Sequence, residues 1–140
     1  MEEVEHMTRH ESREQAFALM FEKIFSPDLA PQEIIESKAG LSEFTRNDFT
    51  ETLFTVACEH LEEIDRLIRE NLVNWSFDRL TKVSVAVMRI AICEMRYLDD
   101  IPQSVSINEA VEIAKKYSGE EDAAFVNGVL GSVAKKAGVK

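Results

Sequence analysis

Few residues of this 140-residue chain are placed to do covalent or metal chemistry. The histidines His6, His10 and His60 are scattered, and no CxxC or HExxH accompanies them, so no metal site is expected. Cys58 and Cys93 each sit in an apolar run without the flanking cations that would activate a thiol, which reads as two reduced core cysteines. No serine stands in a strained glycine elbow, and there is no P-loop or GxGxxG. Gly128-Val129-Leu130-Gly131 spells the GxxG of a nucleic-acid-binding loop, but it lies inside an apolar helical stripe and reads as packing. Paired carboxylates such as Glu62–Glu63 and Asp99–Asp100 read as solvated charge. The expectation is a protein that is not an enzyme and holds no cofactor.

Recognition chemistry remains. A formal net charge of −10 argues against a broad nucleic-acid surface, so any basic site must be local. Acids concentrate at 2–14, 59–70 and 109–122, whereas 131–140 carries Lys135, Lys136 and Lys140 with no acid. Residues 79–98 carry Arg79, Lys82, Arg89 and Arg96 against Glu94. Arg89 falls in the most apolar helical segment, where a permanent charge requires a partner. That points to an internal ion pair or carbonyl clamp, with Glu94 or a carboxylate from another helix.

The elements that must position these groups read as helices throughout. Apolar residues recur at threes and fours, and no segment alternates at period two, so the fold class is all-α. A first helix spans 12–25, with Ala16, Leu19, Met20 and Lys23–Ile24 as the inner stripe, widened by Phe17, Phe21 and Phe25. Pro31 opens a short second helix to about Lys38. A long helical region from Thr45–Asp48 to Leu72 is expected to break near His60. Asn74-Trp75-Ser76-Phe77-Asp78 is the joint between halves, where Trp75 is expected to pack. Helix 82–98 is apolar on nearly all sides and should be the buried centre, ending at Asp99-Asp100-Ile101-Pro102. Ser106 and Glu109 have the spacing of a capping box that would start the next helix. Glu120, Glu121 and Asp122 then suit the first turn of a last helix, closed by Lys135, Lys136 and Gly138. Gly128 inside that helix costs about 1 kcal/mol against alanine, and close approach of a neighbouring helix would offset it. Phe125 sits one residue before the Val126, Val129, Val133 stripe, which turns its ring partly outward.

No run approaches a membrane-spanning length, and the acidic, polar start MEEVEHMTRH is unlike a secretory signal. Met7 is an alternative start, with the residues before it as a disordered extension.

Ile107-Asn108-Glu109-Ala110-Val111-Glu112-Ile113-Ala114-Lys115-Lys116-Tyr117, followed by Phe125-Val126-Asn127-Gly128-Val129-Leu130, resembles the C-terminal motif pair of the NusB family of bacterial transcription antitermination factors. Arg13-Glu14-x-Ala16 and Val87-Met88-Arg89-Ile90-Ala91 with Glu94 match further family segments in the same order. The resemblance implies two small helical bundles packed across each other, about six to seven helices in all. It implies one domain over 9–137, with subdomains at about 9–74 and 79–137, a disordered extension at 1–8 and a tail at 138–140. It implies a cytoplasmic protein that binds boxA-type single-stranded RNA in nascent ribosomal transcripts, jointly with a small-subunit ribosomal protein (NusE), on the RNA polymerase elongation complex. Carried over residue by residue, the RNA contacts would be Arg9, His10, Arg13, Glu121 and Phe125, and the ribosomal-protein contacts Phe21 and Ser84. Homodimers that hide the RNA surface also belong to the family's repertoire. Where the family often carries consecutive arginines, this chain has Arg9-His10-Glu11-Ser12-Arg13. A helical interaction module of the same fold that has lost RNA binding is the alternative.

Overall fold

The structure is a computed structural model that describes residues 7–98 and 100–137. Seven α-helices and no strand occur among the described residues: α1 Arg9–Phe25, α2 Pro31–Ala39, α3 Asp48–Glu59, α4 Leu61–Glu70, α5 Lys82–Tyr97, α6 Gln103–Tyr117 and α7 Glu120–Ala137. A 3₁₀ turn at Phe77–Arg79 precedes α5. The expected extension and tail, with His6 and the helix-terminating Asp99, lie outside the described residues apart from Met7 and Thr8.

α1 begins three residues before the apolar period does, because Thr8 supplies a capping box. The Glu11 N–H donates to Thr8 Oγ1 at 3.0 Å, and the Thr8 N–H donates to Glu11 Oε1 at 2.9 Å. Lys23 does not join the inner stripe: its Nζ donates to the carbonyls of Pro27 and Leu29 at 2.8 and 2.7 Å, closing the turn after the helix. The long helical region does break at His60, whose imidazole stacks on the Tyr97 ring with centroids 4.0 Å apart. α4 then packs on α5 and α7, so by packing it belongs with the second group of helices.

α5 is the buried centre. Thr81 caps it, accepting from the Ser84 N–H at 3.1 Å, and Ile90 through Met95 are all buried. α1, α3, α4, α6 and α7 all pack on it. Leu19, Met20, Phe54, Ile64, Ile68, Met88, Ile92, Met95 and Leu130 fill the space between them.

Two ion pairs, one part-buried and one buried, tie helices to this centre. Arg89 is clamped bidentately by Asp65 of α4, with Nε–Oδ1 at 2.9 Å and Nη2–Oδ2 at 2.8 Å. Its partner is thus a carboxylate from another helix and not Glu94, which is engaged by Arg13 of α1 through Nε–Oε2 at 2.7 Å. The Glu94 carboxylate also accepts from Ser106 Oγ at 2.5 Å.

That last bond overturns the expected cap. α6 starts at Gln103, after Pro102, and Ser106 lies a full turn inside it with its hydroxyl turned into the core. Gly128 is corrected as well. It is exposed on α7, and an added Cβ would meet nothing within 4 Å, so no neighbouring helix approaches there. An added Cβ at the half-buried Gly131 would likewise meet nothing within 4 Å, and the GxxG is a stretch of regular helix rather than a packing contact.

Candidate nucleic-acid interface

Of the basic residues at the start of α1, only Arg9 is exposed, with its guanidinium 3.9 Å above the centroid of the Phe49 ring. His10 Nδ1 lies 2.5 Å from Glu109 Oε1 on α6, so this imidazole spans two helices. Arg13 points inward. It is 6% exposed, its Nε is held by Glu94, and Nη1 is 3.7 Å from Glu109 Oε1. Glu94, Arg13, Glu109 and the His10 imidazole thus form one chain of polar side chains from the centre of the fold to the surface. Arg13 is spent on this chain, and its geometry is that of a residue that positions the start of α1 rather than one that reaches a phosphate.

The other residues implied for binding converge elsewhere. Glu121 and Phe125 on α7 and Ser84 on α5 line one cleft of about 350 Å³, together with Trp75, Arg79, Leu80, Thr81 and Asp122. The first turn of α7 is organised by Asp122, whose Oδ2 accepts from Thr81 Oγ1 at 2.7 Å and from Ser118 Oγ at 2.5 Å. Phe125 is half-buried, as its offset from the apolar stripe predicts, and meets Trp75 edge-to-face with centroids 6.0 Å apart. Trp75 does not pack into the joint: it is 53% exposed. Asn74, at φ 64°, takes the left-handed conformation that asparagine tolerates just before it. Ser84 is buried at the floor of this cleft, so a direct contact with a protein partner would have to enter the cleft to reach it.

Phe21 lies apart from both groups. It is half-buried between Phe17 and Phe25, at centroid distances of 6.1 and 5.1 Å. Tyr117 of α6 extends this aromatic run by packing on Phe17 at 5.0 Å. Phe25 and Tyr117 at its ends are exposed and Phe17 within it is buried, so the run reaches the surface at both ends.

Sequence reading missed Trp75, Arg79 and Phe49 as parts of these surfaces. Trp75 carries a signal in retrospect: it stands in a short polar segment with no apolar period to bury it. Phe49 carries none, because its use depends on where α3 meets the start of α1. No cluster of three or more His, Cys, Asp or Glu side chains able to hold a metal occurs among the described residues. No helix among them is long and apolar enough to cross a membrane.

The NusB family matches residues 10–135. The chain is 39% identical over 127 residues to the transcription antitermination protein NusB of Bacillus mycoides, covering 91% of this chain and 97% of that one. Among solved structures, NusB of T. maritima superposes with a TM-score of 0.84 at 34% identity, covering 94% of each chain. A chain from a crystal structure of the antitermination factors NusB and NusE in complex with dsRNA superposes with a TM-score of 0.80 at 28% identity, covering 92% of this chain and 98% of that one.

Proposed function

The chain belongs to the NusB family of transcription antitermination proteins, and from this premise we propose that it suppresses termination by holding boxA-type single-stranded RNA of nascent ribosomal transcripts. It does so jointly with a small-subunit ribosomal protein, the NusE partner, on the elongating RNA polymerase. The observation that carries this reading is the end-to-end match to antitermination proteins, including a superposition onto a chain from a NusB–NusE–RNA complex. The protein acts as a non-enzymatic scaffold in the cytoplasm, where nascent transcripts are.

RNA is contacted by Arg9 and His10 at the start of α1 and by Glu121 and Phe125 at the start of α7. Arg13 positions the first of these patches from inside. The ribosomal protein meets the aromatic run around Phe21 and the start of α5 above Ser84. Two groups of helices sharing α5 hold these surfaces: α1–α3 as one and α4–α7 as the other. With net charge −10 and few outward arginines, affinity must come largely from base contacts and from the partner.

The test is a mobility-shift titration of a boxA-type RNA with this chain, with the ribosomal protein, and with both. A stable complex only when both proteins are present is expected. A pair that binds each other but leaves RNA affinity unchanged would instead favour an interaction module without RNA binding.

A further inference from the structure

The Glu109 carboxylate of α6 faces two groups on α1 at once. Its Oε1 lies 2.5 Å from His10 Nδ1 and 3.7 Å from Arg13 Nη1. An ionised carboxylate only accepts hydrogen bonds, so Nδ1 is the ring nitrogen that carries the proton here. Nε2, across the ring, makes no hydrogen bond among the described residues, and the side chain is 41% exposed. The imidazole is therefore anchored by its inner nitrogen and left with its other nitrogen for a ligand. The charged groups around it come from three helices. α1 supplies Arg13 and Glu14, α5 supplies Glu94 beyond Arg13, and α6 supplies Glu109 and Lys116. Lys116 Nζ is 2.6 Å from Glu14 Oε2, so those two charges answer each other. Glu94 and Glu109 are then two carboxylates that share the one guanidinium of Arg13. α3 presents the Phe49 ring, over which Arg9 and Arg13 lie.

Two carboxylates on one arginine leave this cluster suited to a further cation at its outer end, where the imidazole stands. A phosphate at Nε2 would set the ring between two anions. Opposite charges within about 4–6 Å favour the protonated ring, and both of its nitrogens then donate. We propose that Glu109 is a positioning residue for RNA: it holds His10 by Nδ1 so that Nε2 donates to a backbone phosphate, and binding takes up one proton at this ring. The proton comes from solvent and resides on Nε2. Without Glu109 the neutral ring carries its proton on either nitrogen and is free to turn, so ordering it for the phosphate costs entropy. Arg13 fixes Glu109 in turn, which gives the buried arginine its part in the same contact. Arg9 then contributes a permanent charge to the start of α1, and His10 one that depends on pH. The inference rests on the RNA-binding reading and adds to it a phosphate contact, the residue that positions it, and a linked proton.

The test follows the anisotropy of a labelled boxA-type RNA titrated with this chain and the ribosomal protein together. Salt is held fixed, and the pH is set at about 6 and about 8, an interval over which imidazole changes charge. Affinity is expected to rise several-fold at the lower pH, within the limit of about tenfold per pH unit that one linked proton sets. His10→Gln should remove most of this rise. His10→Arg, whose charge is permanent, should bind about equally at both pH values. Glu109→Ala should weaken binding at the lower pH and leave only the pH dependence of His10→Gln, and combining the two should cost nothing further. Glu109→Gln, whose amide oxygen can still accept from Nδ1, should recover part of the affinity lost in Glu109→Ala. Nitrogen NMR of the His10 ring in the free chain should show Nδ1 protonated, and Glu109→Ala should move proton occupancy towards Nε2. A Glu109→Ala variant that loses stability and affinity but keeps the wild-type pH dependence would make Glu109 a structural residue and overturn the inference. Equal pH dependence in wild type and His10→Gln would also overturn it and leave the RNA-binding reading intact. No RNA binding by the two proteins together at either pH would overturn both.

Discussion

Arg13 on α1 and Glu94 on α5 are 81 residues apart in the chain and form an ion pair with Nε–Oε2 at 2.7 Å, their side chains 8% and 2% exposed. Both lie within the stretch that matches the family, and the pair gives them a structural task. Glu94 is satisfied on its other side by Ser106, so α1, α5 and α6 meet at one carboxylate.

Removing one partner should therefore unfold more than it unbinds. Arg13→Ala leaves Glu94 buried without its cation, and a loss of about 3–5 kcal/mol is expected in urea denaturation. Arg13→Met with Glu94→Leu should recover most of that loss, because the desolvation of both charges disappears with them. A stability change in Arg13→Ala below about 1 kcal/mol, the size of a surface pair, would contradict the buried geometry.

Arg9 is the outward arginine of this patch, so it should carry the salt dependence. Arg9→Ala is expected to weaken RNA binding similarly for all sequences and to reduce the slope of log affinity against log salt by about 0.7, the share of one single-strand phosphate. Salt titration of the complex with the ribosomal protein measures it.

Phe125 should separate binding from stability. Because its ring is half-buried and shared with Trp75, Phe125→Ala should lose clearly less than the about 3–5 kcal/mol of a fully buried phenylalanine, while RNA affinity falls roughly 5- to 150-fold. Thermal melts beside RNA titrations of the same variant decide it. A full core-sized loss of stability would make Phe125 a packing residue.

Gly128 is a site for stabilisation. It lies in regular helix with open space around its missing Cβ, so Gly128→Ala should raise stability by about 0.5–1 kcal/mol and leave RNA affinity unchanged. Denaturant midpoints test the first half, and any destabilisation would mean an unseen neighbour at this face.

The thiols should be protected and should make stability fall at alkaline pH. Burial pushes Cys58 up to about 11 and Cys93 higher still. A thiol whose folded pKa is raised holds its proton in the native state while the unfolded chain loses it. The stabilisation is thus complete below the ordinary thiol range and declines as pH rises through it towards 11. Native protein should react slowly with a thiol reagent at pH 8, Cys93 more slowly than Cys58, and both rapidly in urea.

Much of the helical framework could be read from the chain by itself, because a helix face is a local property written at three- and four-residue spacing. The buried α5 and the outward offset of Phe125 follow from that period, and the break near His60 from the length of the run. The tertiary structure decided which charged groups face which. Arg13 looks like a surface cation in a thinned basic cluster until α5 places Glu94 against it, and Arg89 finds Asp65 because α4 crosses α5 at that turn. Ser106 has the spacing of a cap, but α6 begins a turn earlier and turns its hydroxyl into the core. Gly128 suggested a close approach that the rotation of α7 does not provide. In each case the outcome depends on the rotation and register of one helix against another, and local periodicity contains neither.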